Sequence, residues 1–200
     1  MRRLTSLCVY CGSGLGTHTA YEEAARALGR ALADSDIRLV YGGGSVGLMG
    51  TVARAVLDGG GRVTGIIPRF LQSRERPMAD LTELIVTEDM HQRKMLMFEK
   101  ADAFVALPGG IGTLEELVEQ MTWAQLGRHE KPVLLANIEG FWEPLIKLLD
   151  QMRRVGFIRS DLEVSCVVAS RAEDIVPTLE RSLSERREPA RAIAAPIGQM

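Results

Sequence analysis

The 200-residue chain is poor in the features that announce special classes of protein. Its three cysteines, Cys8, Cys11 and Cys166, are too few for a disulfide framework. Cys8-x-x-Cys11 has the spacing of a zinc or redox pair, but no second Cys/His pair has ligand spacing and the two thiols stand in a strand-like run, so neither metal nor redox chemistry is expected. No sign of charge dominates. With 24 Lys and Arg against 26 Asp and Glu, a formal charge of -2 and a pI near 6.0, the chain lacks the basic stripe and pI above about 9 of a nucleic-acid binder. Nucleic acid is therefore not an expected partner, whereas free nucleotides remain possible ligands. No apolar run approaches the ~18 residues of a membrane span, and Met-Arg-Arg-Leu-Thr leads into a short apolar run without a cleavage signature. A cytoplasmic protein with no membrane partner is expected.

What is present is an ordinary globular composition, 46% hydrophobic and 25% charged, at a length suited to one domain. Short apolar runs alternate with longer helical ones. Strands are expected at Ser6 to Tyr10, Ile37 to Tyr41, Arg62 to Ile67, Leu84 to Thr87, Ala103 to Leu107, Val133 to Asn137 and Val164 to Val168. Helices are expected at Thr19 to Asp34, Val46 to Asp58, Met90 to Ala101, Leu114 to Leu126, Phe141 to Val155 and Ala172 to Ser184. Continuous apolar strands separated by helices of this length imply an α/β fold, a Rossmann-like doubly wound parallel sheet with helices on both faces. One domain over 1–184 is expected, followed by a mobile tail over 185–200 that lacks periodicity and carries two prolines. In such sheets ligands bind beyond the carboxyl ends of the strands.

Glycine is in excess, at 20 residues, and it clusters at those ends. Gly12-Ser13-Gly14-Leu15-Gly16 follows the first strand, Gly42-Gly43-Gly44-Ser45-Val46-Gly47 the second and Gly109-Gly110-Ile111-Gly112-Thr113 the fifth. Glycine lets backbone N–H groups approach a ligand, and a helix N-terminus just beyond attracts anions, so phosphate is the natural ligand. Gly43 and Gly44 are candidate contacts on this ground. The second turn fits the G-x-G-x-x-G dinucleotide pattern. Where that pattern wants an acidic residue after the next strand, however, this chain has Ile66-Ile67-Pro68-Arg69, which weighs against NAD; tight turns and helix-to-sheet packing account for much of the segment. In the third turn Thr113 and Glu116 read either as a capping box with Thr113 as N-cap, or as a phosphate cradle with a carboxylate one turn into the helix. On the helix from Met90, Lys94 shares a stripe with Met90 and Met97 while Arg93 lies at its flank. That directs a basic pair toward the apolar side, against the alternative of an Asp89–Arg93 pair on a solvated face.

Met90-His91-Gln92-Arg93-Lys94 followed by Pro108-Gly109-Gly110-Ile111-Gly112-Thr113-Leu114-Glu115-Glu116 resembles the LOG ("Lonely Guy") family of cytokinin riboside 5'-monophosphate phosphoribohydrolases, often mislabelled lysine decarboxylases. The resemblance takes in Tyr41 to Gly50 and Thr122 to Gly127 and runs from about Leu4 to Ser184. It implies a homodimer or higher oligomer that hydrolyses the N-glycosidic bond of a purine nucleoside 5'-monophosphate to free base and ribose 5-phosphate, with no cofactor and no metal. It also implies Arg93 and Glu116 as catalytic residues, and Glu75, Lys94, Gly109, Gly110, Ile111, Gly112, Thr113 and Thr122 as substrate-binding ones. Glu75 reads equally as part of a surface Arg74-Glu75-Arg76 cluster. The family's usual Cys-Gly-Ser-Ser is here Cys11-Gly12-Ser13-Gly14; Ser13 keeps a hydroxyl for the ligand. Lysine decarboxylation would need pyridoxal phosphate held by a lysine, and none of Lys94, Lys100, Lys131 and Lys147 stands in such a context. A carrier that binds a nucleotide without catalysis is the alternative. Of Met78, Met90, Met95 and Met97, most are expected in the core rather than around a ligand.

Overall fold

Strands made of consecutive apolar residues must be covered on both faces, and the helices between them supply the cover. The computed structural model describes residues 3–158 and 166–185. Within them the strands are β1 (Ser6–Tyr10), β2 (Arg38–Tyr41), β3 (Val63–Pro68), β4 (Glu83–Thr87), β5 (Ala103–Ala106), β6 (Val133–Ala136) and β7 (Val167–Ala169). The helices are α1 (Thr19–Asp34), α2 (Gly47–Asp58), α3 (Gln72–Glu75), α4 (Met90–Lys100), α5 (Ile111–Gln125), α6 (Glu143–Arg154) and α7 (Ile175–Glu185). The strands form one sheet in the order β4-β3-β2-β1-β5-β6-β7, every neighbouring pair parallel.

Alternation along each strand divides the core. Leu7, Val9, Leu39 and Val105 meet Leu28 of α1, Val52 of α2 and Leu179 of α7 on one face. Cys8, Tyr10, Phe104 and Leu135 meet Met97 of α4 and Leu117 and Met121 of α5 on the other. Cys8 and Cys11 thus belong to opposite layers and are buried free thiols. Chain order reverses between β1 and β5, which opens a crevice beyond their carboxyl ends. Among the described residues no helix is long and apolar enough to cross a membrane.

Three expectations are corrected or bounded. Helix α5 starts at Ile111, three residues early, with Gly110 as its N-cap; Thr113 is an inside residue, so the capping box is not formed. Helix α3, preceded by a 3-10 turn over Arg69–Leu71, was not expected, since four residues carry no readable periodicity. The expected last strand began at Val164, which lies outside the described residues, as does 186–200 of the expected tail; Glu185 itself closes α7.

Candidate active site

The crevice holds a cavity of about 420 Å³ bounded by the β1 loop, α2, the α3 segment, α4 and the start of α5. Its polar wall is Ser13, Glu75, Arg93, Thr113, Glu115 and Glu116, with the backbone of Gly110 to Gly112. Its apolar wall is Met49, Leu71 and Met90. A smaller cavity of about 250 Å³ adjoins it across Gly12, Ser13 and Gly110, with Tyr21 and Phe141 in its wall.

Helix α5 points its N-terminus into the larger cavity. Its first amides have no intrahelical acceptor and carry the positive end of the helix dipole, which suits an anion. Gly109 is required behind them, because a Cβ there would overlap the Thr113 side chain. Thr113 is buried with its hydroxyl toward that turn.

Arg93 is 6% exposed, the opposite of a solvated i,i+4 pair. Asp89 instead caps α4 by accepting from the Gln92 N–H at 2.8 Å. The Arg93 guanidinium donates from Nη2 to the Gly42 carbonyl at 3.2 Å, and Nε finds no acceptor among the described residues. A buried cation with unused donors is unfavourable alone, and Arg93 opens onto the cavity. Glu116 shares it. Burial, the largest influence, lifts the Glu116 carboxyl from 4.5 to about 7, Arg93 and Lys94 pull it down, and Glu115 and Glu75 push it up. Glu75 is no surface-cluster residue: it lines the cavity, and its Oε2 is buried with no partner among the described residues.

The second glycine turn supports these side chains from behind. Gly42 offers its carbonyl to Arg93, and a Cβ on Gly42 would overlap that guanidinium. Gly44 lies behind Glu75, and the Ser45 N–H donates to the Glu75 carbonyl at 3.0 Å. Neither Gly43, which packs on Ile67 at positive φ, nor Gly44 lines the cavity, so both are corrected from ligand contacts to supports. The N-terminus of α2 is occupied already: the Leu48 and Met49 N–H groups donate to the Gly14 and Gly12 carbonyls, both at 3.3 Å. Gly47, at φ +61, allows this close approach. A dinucleotide phosphate at that helix end would have to displace the β1 loop.

Two further residues stand apart from the cavity. Lys94 Nζ is held by Glu115 Oε1 at 2.6 Å and Glu119 Oε1 at 2.9 Å. Thr122 is exposed on α5 with its hydroxyl turned back to the Val118 carbonyl at 2.7 Å. The sequence signals did not single out Met49, Leu71 or Cys11 as walls, because apolar residues at helical or strand spacing look the same whether they face a core or a cleft. Of the methionines, Met97 is core and Met90 lines the cavity. Among the described residues no group of three or more His, Cys, Asp or Glu could hold a metal ion.

A protein-family model described as "Possible lysine decarboxylase" matches residues 49–179. The rice cytokinin riboside 5'-monophosphate phosphoribohydrolase LOG is 48% identical over 92% of this chain and 76% of its own length. The Arabidopsis thaliana enzyme LOG3 is 49% identical over 87% of this chain and 81% of its own. Among solved structures, the molybdenum cofactor binding protein of Rippkaea orientalis superposes with a TM-score of 0.66 at 22% identity, covering 92% of this chain and 99% of that one; this is a likeness of fold. Identity near one half over most of both chains, on a fold with these glycine turns, means that the chain belongs to the LOG family of phosphoribohydrolases.

Proposed function

We propose that the protein hydrolyses the N-glycosidic bond of purine nucleoside 5'-monophosphates, AMP or N6-substituted cytokinin types, to free base and ribose 5-phosphate. The carrying observation is one cavity that combines free helix-terminal amides, a buried guanidinium with unused donors and a carboxyl poised near neutrality. The α5 amides from Gly110 to Thr113, with the Ser13 hydroxyl, receive the phosphate, and Glu75 takes a ribose or base hydrogen. Breaking the bond builds positive charge on the sugar. Ionised Glu116 stabilises that charge and accepts the proton of the attacking water, whose oxygen bonds to the anomeric carbon as the electron pair leaves with the base. Arg93 stays protonated, so it orients the nucleotide and steadies the departing base by hydrogen bonds. Turnover therefore rises with pH through about 7 as Glu116 ionises.

Incubation with AMP and with N6-isopentenyladenosine monophosphate, followed by assay of free base and ribose 5-phosphate, tests this directly. Products with either support it; tight binding without products would leave a carrier. Gly42→Ala offers a check at a distance from the ligand. The new methyl must expel the Arg93 guanidinium, so kcat/KM should fall about 10-fold or more with Arg93 still present, and unchanged kinetics would dissociate the Gly42 contact from catalysis.

The described α5 surface supports a homodimer or higher oligomer. Ile111, Val118 and Leu126 are 83%, 42% and 72% exposed and recur seven and eight residues apart, an apolar ridge of the kind a partner covers. Thr122 sits on that ridge. Light scattering should give a multiple of the 21.9 kDa chain mass for the native protein and a smaller species for Val118→Lys; a monomeric native mass would refute the interface. Free buried thiols fit a reducing, cytoplasmic setting.

A further inference from the structure

Lys94 follows Arg93 on α4, and Glu115 precedes Glu116 on α5. Lys94 Nζ lies 2.6 Å from Glu115 Oε1 and 2.9 Å from Glu119 Oε1, with its side chain only 12% exposed and that of Glu119 21%. Two carboxylates one turn apart on α5 thus bracket a single ammonium. A lysine that binds phosphate needs donors turned to the ligand, but two of the three here are spent on carboxylates and the side chain does not line the cavity. The second oxygen of Glu119 is buried with no partner among the described residues, so its charge depends on Lys94.

We propose that Lys94 is a positioning residue: its clamp on Glu115 and Glu119 fixes the helix bearing Arg93 against the helix bearing Glu116 and neutralises the carboxylates nearest Glu116. This rests on the hydrolase reading of the same site. Burial works against the Lys94 charge, and the two carboxylates outweigh it, so the ammonium titrates above the ordinary lysine range. The charged groups bearing on Glu116 are Arg93 and Lys94 from α4, Glu115 on its own helix and Glu75 from α3. On the β1 side stand Cys8, Tyr10 and Cys11, whose buried groups are pushed up and remain neutral.

Opposite shifts follow for the two sides of the clamp. Lys94→Met removes a positive charge and uncovers Glu115, so the Glu116 titration and the acid limb of kcat/KM move up by roughly one pH unit. Glu115→Gln moves both down, and the double variant returns between them. Glu119→Gln, which touches no ligand in either reading, loosens the clamp and lowers kcat several-fold at unchanged nucleotide KM. The experiment combines pH–rate profiles with a carbon-13 titration of the Glu116 carboxyl in the free protein, which needs no turnover. If Lys94 instead contacts phosphate, Lys94→Met raises KM steeply, Glu116 titrates as before and Glu119→Gln is silent; that pattern overturns the proposal. Shifted titrations in a protein that turns over no nucleotide would uphold the clamp and refute the hydrolase reading.

Discussion

Glu116→Gln is expected to lower turnover on the order of 10²-fold or more and at the same time to make the free protein more stable at alkaline pH. The amide keeps the carboxyl's shape and loses its charge and basicity, so it can neither hold the ribosyl cation nor accept a proton from water. The stability gain has a separate cause. Burial, with smaller pushes from Glu115 and Glu75 and pulls from Arg93 and Lys94, raises the folded-state pKa from 4.5 to about 7. A carboxyl raised in this way contributes its stability below the unfolded value and loses it as pH climbs through the folded one. Glutamine does not titrate. The variant should match the native protein near pH 4 and exceed it above pH 7 by about 2 kcal/mol. Product assays and thermal melts at the two pH values measure both effects. Near-native turnover would remove Glu116 from the chemistry, and equal melting at pH 8 would mean that its carboxyl is well hydrated.

Arg93→Met should be nearly as damaging to turnover, again on the order of 10²-fold, with little loss of fold. Replacing a buried, unpaired guanidinium by an apolar side chain of similar length is often neutral or stabilising, and the loss is confined to the 3.2 Å bond to the Gly42 carbonyl. The melting temperature should therefore hold within about 5 °C. Without the positive charge Glu116 titrates higher, so residual activity should appear at higher pH than in the native protein. Arg93→Lys separates charge from shape: lysine restores the titration of Glu116, but its single ammonium cannot reproduce the planar, forked donors, so turnover stays low. Full activity in Arg93→Lys would reduce the role of this residue to its charge.

The β/α alternation was legible because buried parallel strands need unbroken apolar runs and helices need a 3.6-residue stripe, and the element centres follow those patterns closely from Ser6 to Asp34. The partnership of Arg93 with the third glycine turn was legible too, since Arg93 and Glu116 sit in motifs whose chemistry is local. The start of α5 was not. Thr-x-x-Glu matches a capping box, yet the glycine turn lets the helix begin at Ile111 and leaves Thr113 inside it. Glu75 could not be assigned either way between two arginines, because its position depends on the Ser45 contact to a segment 30 residues distant. The second turn misled in a different manner. Its glycines follow a phosphate-binding pattern, but the amides beyond them are used by the β1 loop.

By itself the sequence determined the parallel α/β layering, the family and the Arg93 and Glu116 pair, since each is written in short-range spacing and residue chemistry. Tertiary structure decided what each glycine turn does, which face Lys94 and Thr122 present, and that Glu116 titrates near neutrality. Those properties depend on burial and on charges brought together from α3, α4 and α5, and burial is a relation between distant segments that no local pattern encodes.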